Sequence, residues 1–319
     1  MQTIELKRLK HFPIMMYAII MGLSGLTIAY QKAAIWLGFP SFLGTFFAVL
    51  TTAVFLVVSF FYILKLIRYP EAVKNEFNHP IRINFFAAIS ISLLMLAIIY
   101  EALNHTFSAI FWYAGAAMHF YLTMYTVRFW INKNQLIEHS NPAWFIPIVG
   151  NVLAPVGGVG LVDNALLLYF FSVGMFFWFV LFAILLNRII FHNQLAVKFM
   201  PTLFILIAPP AVGFIAYFKM FSVIDTFALV LFNLAIFFTL LVAFMYKNFI
   251  KIKFFISWWA FVFPLAAMAI SSMIMYHMEG GAFLLLFAYL NIVALTIIIA
   301  IVTYQTLLHM SKKEICIEE

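Results

Sequence analysis

Very little of this chain is charged. Asp, Glu, Lys and Arg make up 9% of its 319 residues, against ~25% in an average soluble domain, which excludes a water-soluble globular fold. There is one cysteine, Cys316, so an internal disulfide and a cysteine metal site are excluded. The terminal Cys-Ile-Glu-Glu is not a prenylation signal, because Glu318 occupies its second aliphatic position. The first apolar run, from Phe12 through Tyr30, lacks a small-residue cleavage site and reads as a retained helix. No His-x-x-x-His, His-Glu-x-x-His or nucleotide-binding loop occurs, so neither metal nor other cofactor is expected.

What the chain does have is apolar sequence, 66% of it. The runs are continuous rather than alternating, so the spans are helices and not barrel strands. At ~20 residues per crossing, ten spans are expected, at about 12–30, 41–66, 81–100, 106–128, 142–161, 165–190, 200–219, 223–246, 254–276 and 281–307. The linkers are short, which makes 1–319 a single all-α transmembrane domain.

The charges orient it. With the N-terminus inside, Lys7, Arg8 and Lys10 fall inside. So do Lys65, Arg68, Lys74, Arg82, Arg128, Lys133, Arg188 and Lys198, and then Lys247, Lys251, Lys253, Lys312 and Lys313. Of the 18 Lys and Arg, Lys32 and Lys219 alone fall outside. That split follows the positive-inside rule. The net charge of +7 thus records topology and not a nucleic-acid partner. The expectation is a multi-pass protein of the cell membrane, the bacterial inner membrane, with both termini cytoplasmic.

Helix texture alternates as well. The odd helices carry breakers or small residues: Gly22, Ser24 and Gly25 in helix 1, Ala87, Ala88, Ser90 and Ser92 in helix 3, and Pro147, Gly150, Pro155, Gly157, Gly158 and Gly160 in helix 5. Helix 7 has Pro209, Pro210 and Gly213, and helix 9 has Pro264, Ala266, Ala267 and Ala269. The even helices have few breakers and many large residues, such as Phe176–Phe179 and Phe237–Phe238. Breakers survive where a helix faces protein or a water-filled cavity, and small residues allow close approach. Five helical hairpins follow, with inner odd helices around a central conduit. A compact bundle without a pore is the alternative.

None of the spans has an Asp, Glu, Lys or Arg at its middle; Glu101, Asp163, Asp225 and Glu279 fall at outer ends. A carboxylate proton relay and an acidic cation-selecting ring are therefore unsupported. His119, in the middle of helix 4, has the chemistry of a proton site or haem ligand, but a lone histidine there more often hydrogen-bonds a neighbouring helix. An uncharged conduit still favours anions through helix dipoles. Breaks at Pro147, Pro209 and Pro264 would add half-helix N-termini, a known anion-binding device. Arg82, Arg128, Lys251 and Lys253 would draw anions to the inner mouth, though the positive-inside rule accounts for them too.

The segment Ser257-Trp258-Trp259-Ala260-Phe261-Val262-Phe263-Pro264-Leu265 resembles one helix of the family of plant slow anion channels and bacterial tellurite-resistance (TehA) proteins. His79-Pro80-Ile81-Arg82, Pro142 through Pro147, and Ala208-Pro209 fit the same family, and the likeness runs from helix 1 to helix 10. The resemblance implies a quasi-fivefold ring of hairpins with a pore in each subunit, a homotrimer, and a phenylalanine on helix 9 that plugs the pore. That residue maps to Phe263, one of 40 phenylalanines. On helical spacing it shares a face with Trp259, Ala267, Ile270 and Ser271. A proline common in helix 1 of the family is absent, and so are the long plant termini that receive kinase signals. The first expectation is a passive channel for monovalent anions such as chloride and nitrate, lined by Phe263, Pro264, Ala267, Ile270, Gly22, Ser24, Pro147, Asn151 and Pro209. The alternatives are a secondary transporter of dicarboxylate, sulfite or tellurite-related oxyanions and, more remotely, a membrane redox enzyme.

Overall fold

The computed structural model describes residues 8–317; Lys7 and Glu318, used above, lie outside them. The regular elements among the described residues are all helices, apart from one isolated bridge between Val159 and Val162. The main helices are α1 (Ile14–Trp36), α2 (Ser41–Arg68), α3 (Arg82–Tyr100), α4 (His105–Asn132) and α5 (Pro142–Gly158). They continue with α6 (Asn164–Phe191), α7 (Val197–Phe221), α8 (Thr226–Phe244), α9 (Ile256–Glu279) and α10 (Ala282–Ser311). A further short helix, Pro70–Phe77, occupies the stretch read as a loop between α2 and α3.

Eight of these, all but α4 and α5, are long and apolar enough to cross a membrane. Helix α4 has the length, at 28 residues, but Tyr113, His119, Tyr121 and Tyr125 lower its hydropathy. Helix α5 is shorter. Two of its stretches, Pro142–Phe145 and Gly150–Val152, are 3-10 helix. At ~2.0 Å rise per 3-10 residue and ~1.5 Å per α residue, it reaches about 29 Å, close to the ~30 Å of hydrocarbon in a bilayer.

Burial separates the helices by parity. In the most apolar window of α1, α3, α7 and α9, 72–83% of residues are buried; in α2, α6, α8 and α10 the share is 22–39%. All of α5 is buried. Each odd helix packs against the even helix that follows it. Helix α1 also meets α3 and α9, α5 meets α3 and α7, and α7 meets α9.

A second difference follows parity. Every odd helix opens with 3-10 turns: Ile14–Met16, Arg82–Phe86, Pro142–Phe145, Val197–Ile207 and Ile256–Phe261. No even helix does. The 11-residue run in α7 far exceeds the usual 3-10 length. In three of the five a proline marks the change from 3-10 to α helix. Pro147, Pro209 and Pro264 each fall in the first turn of the α segment that follows a 3-10 stretch. There the missing N–H has no intrahelical partner to lose. This corrects the expected interruptions: the helical path continues through all three prolines, and no half-helix gap opens there. Side chains of neighbouring helices bond the carbonyls of these segments. Thr123 donates to Pro147 O at 2.7 Å, Trp112 Nε1 to Ala154 O at 2.8 Å, and Ser271 to Ala211 O at 3.2 Å.

The odd helices start at one end of the bundle, here the basic end, and finish at the other, the far end. At the basic end Arg8 donates to Lys313 O, so the two ends of the described chain meet there. Nearby lies a buried ion pair. Lys65 Nζ bonds Glu76 Oε2 at 2.6 Å and Phe12 O at 2.8 Å, Tyr62 donates to the same Glu76 oxygen, and Glu76 Oε1 accepts the Ile14 N–H. The short helix Pro70–Phe77 thereby clamps the start of α1 to the end of α2. Lys65, taken from sequence as a loop-flanking charge, is buried instead.

Candidate functional site

Two cavities lie along the odd helices. The basic-end cavity has a volume of about 70 Å³, and the far-end cavity about 250 Å³. Every residue lining either one comes from α1, α3, α5, α7 or α9, and each of the five helices contributes to both. Leu153 of α5, Val212 of α7 and Phe263 of α9 line both cavities. These three side chains form the partition between them.

Phe263 stands out within its own helix. From Phe261 to Met275 every residue is buried except Phe263, which is half-buried. The open space beside it is the cavity pair. Helix α1 places it: a Cβ on Gly25 would lie 2.7 Å from Ala266 Cβ, and one on Gly22 would lie 2.8 Å from the Trp259 ring. Only glycines allow α1 and α9 to approach this closely. Gly22 and Gly25 therefore seat the α9 turns on either side of Phe263.

The expected lining residues divide. Pro209 and Pro264 line the basic-end cavity, and Ala267 and Ile270 the far-end one. Trp259 lies on the basic side of Phe263, while Ser271 turns away to bond Ala211 O. Gly22, Ser24, Pro147 and Asn151 do not line either cavity. Gly22 packs on Trp259, and Asn151 donates to Thr123 Oγ1 at 2.9 Å and Ile148 O at 2.8 Å. Ser24 is fully buried, without a hydrogen-bond partner among the described residues. His119 Nδ1 lies 2.8 Å from Ser90 Oγ of α3, its ring against Gly150 of α5, and it lines neither cavity.

The basic residues divide between the surface and one cavity. Arg82, Arg128, Lys251 and Lys253 do not line the basic-end cavity, whose walls are entirely apolar or glycine. Arg128, Lys251 and Lys253 are exposed and Arg82 is half-buried. The far-end cavity is instead lined by Lys32 and Lys219. Sequence reasoning passed over these two, although their signal was present: they are the exceptions to the positive-inside split. Helix α1 extends to Trp36, beyond the expected end at about 30, and so carries Lys32 on its last turns. Leu153 and Val212 had no distinguishing signal among so many aliphatic residues.

Comparison with known proteins gives consistent results. The family described as "Voltage-dependent anion channel" (SLAC1) matches residues 11–307. The S-type anion channel SLAH2 of Arabidopsis thaliana is 30% identical over 270 residues, 82% of this chain and 52% of that protein. An uncharacterized transporter of Methanocaldococcus jannaschii is 28% identical over 301 residues, 85% of this chain and 87% of its own length. A tellurite resistance protein TehA homolog of Haemophilus influenzae is 25% identical over 267 residues, covering 82% of this chain and 80% of its own length. The chain spans about half the length of the plant channels it matches.

Proposed function

We propose that this chain, which belongs to the SLAC1 voltage-dependent anion channel family, is itself a passive channel for small monovalent anions such as chloride and nitrate. In this reading ten crossings form five hairpins in a ring, and the two cavities are the halves of one conduit, closed by Phe263. The observation that carries it is the position of Phe263: it lines both cavities and stands between them. The lining of both by all five odd helices, and by no even helix, supports the ring.

The physics of the closed state is that of an apolar constriction. Phe263, Leu153 and Val212 offer an ion nothing to replace its water. A narrow apolar passage also sheds water, and so blocks conduction. Swinging the Phe263 ring aside would join a cavity of about 70 Å³ to one of about 250 Å³. Selection for anions comes from what the walls contain: no carboxylate lines either cavity, and the two ionisable lining residues are both lysines. A proton-coupled carrier of dicarboxylate, sulfite or tellurite-related oxyanions that relays protons through carboxylates or histidine is not supported by the lining, which includes neither His119 nor any other such side chain.

The proposal includes a homotrimer in the cell membrane, each subunit with its own conduit and both termini on the cytoplasmic side. The test is reversal potential and current in planar bilayers with mixed-anion solutions, comparing wild type with Phe263→Ala. Anion current is expected to rise in the variant. Unchanged conductance in a folded, well-reconstituted Phe263→Ala protein would sink the gate, and saturable uptake driven by a proton gradient would replace the channel with a carrier.

A further inference from the structure

The far-end cavity holds charges that the conduction path alone does not explain. Its walls are apolar apart from Lys32 and Lys219, and Trp36 is among the residues that line it. Lys219 Nζ is bound to Glu101 Oε1 of α3 at 2.6 Å. Lys32 has no hydrogen-bond or ion-pair partner among the described residues; its ammonium sits 5.4 Å from the centre of the Trp36 ring. His277 of α9 stacks on the same Trp36 ring, at 5.3 Å between ring centres. Lys32 and Lys219 line one cavity and Glu101 is bound to Lys219, so the three charges form one group of net charge +1. Lysine at a helix C-terminus is favoured by the helix dipole. Yet Lys32 donates to no terminal carbonyl, and Lys219 reaches across to another helix.

We propose that Lys32 and Lys219 form an anion-binding site in the far-end cavity, with Glu101 as a tethered counter-ion that an incoming anion displaces from Lys219. The proposal rests on the channel reading above and specifies how one end of the conduit captures its ion. Lys32 supplies the standing attraction. Lys219 is available only when the carboxylate gives way, so occupancy is limited by competition from a group built into the chain. The ligand class is a small monovalent inorganic anion. Glu101 and Lys219 are both partly exposed, at 39% and 24% of their side-chain surface, which leaves the pair weak enough to exchange.

The test is chloride binding to the purified full-length protein in detergent, read as chloride NMR line broadening. Glu101→Gln is expected to tighten binding about fivefold, the effect of freeing one partly exposed lysine from its ion pair. Lys32→Met is expected to weaken binding by about as much, Lys32→Arg to retain it, and Lys32→Met with Lys219→Met to abolish the broadening. Undiminished broadening in that double variant overturns the site. So does a Glu101→Gln protein that melts earlier but binds chloride no better, since the pair would then be only a staple between α3 and α7. Binding is read without conduction, so a silent Phe263→Ala protein removes the channel and leaves this site standing. A conducting Phe263→Ala protein whose chloride binding ignores both lysines removes the site and leaves the channel.

Discussion

The two ends of the bundle use charge in opposite ways. The basic end carries most of the lysine and arginine, yet the cavity that opens toward it is lined only by apolar residues and glycine. The far end has two basic residues, Lys32 and Lys219, and both line its cavity. Charge near a membrane surface and charge in a conduit thus answer to different demands. The first is set by insertion, which favours Lys and Arg in cytoplasmic loops whatever they face. The second is set by the path, where an ammonium survives among apolar walls only with a partner or an aromatic face. Counting basic residues by topology alone does not tell which of them line a cavity.

The comparison is tested most strongly by joining the two cavities. Phe263→Ala removes the partition, and a barrier lowered by ~1.4 kcal/mol raises ion flux tenfold; bilayer current is the measurement, and equal currents would show that the cavities are not in series. The next largest effect is on folding at the basic end. Glu76→Ala leaves Lys65 buried and unpaired and frees the Ile14 N–H, a change expected to cost ~3–5 kcal/mol; a melting curve shifted by no more than a surface substitution would refute the clamp. Gly25→Val puts side-chain atoms within reach of Ala266 and is expected to cost ~1–3 kcal/mol by overpacking. It should also change the Phe263→Ala current, because α1 seats the gate helix.

Smaller effects sharpen the contrast between the ends. Replacing Lys251 and Lys253 with Gln is expected to change anion current by less than about twofold, as for exposed charges screened within ~8 Å by physiological salt. A larger fall would return the capture site to the basic end. The smallest effect concerns Asp225, which caps α8 beyond the far end of α7. The Tyr217 hydroxyl, at 2.6 Å, and the Ala228 N–H hold its carboxyl below the usual carboxylate range. A lowered pKa contributes stability above the ordinary carboxylate value, and that contribution is lost as pH falls through the lowered one. Asp225→Asn should therefore lower the melting temperature slightly at neutral pH, with the difference from wild type shrinking as pH falls, so that the acid limb of the profile is flatter.

Much of this was legible in the residues. The apolar runs show a helical membrane protein because hydrocarbon offers the backbone no other partner. The small and breaking residues of the odd helices pointed to the buried ones, as seen in α5 and α9. The likeness around Trp259 and Pro264 drew attention to Phe263, which the structure places between the cavities. The prolines were misread as gaps, because a 3-10 turn before an α segment hides the missing donor in its first turn. Gly22 and Ser24 were expected in the lining but serve packing, since helical spacing gives a residue's face and not which neighbour that face meets.

Sequence by itself determined the solvent, the helical class and the parity of the helices, because these depend on local composition and on the cost of burying backbone and charge. Tertiary structure alone decided which lysines face a cavity, which side chains join Phe263 in the partition, and that Glu76 reaches Lys65 and the start of α1. Those are relations between residues far apart in the chain, fixed only when helices pack at particular rotations and depths.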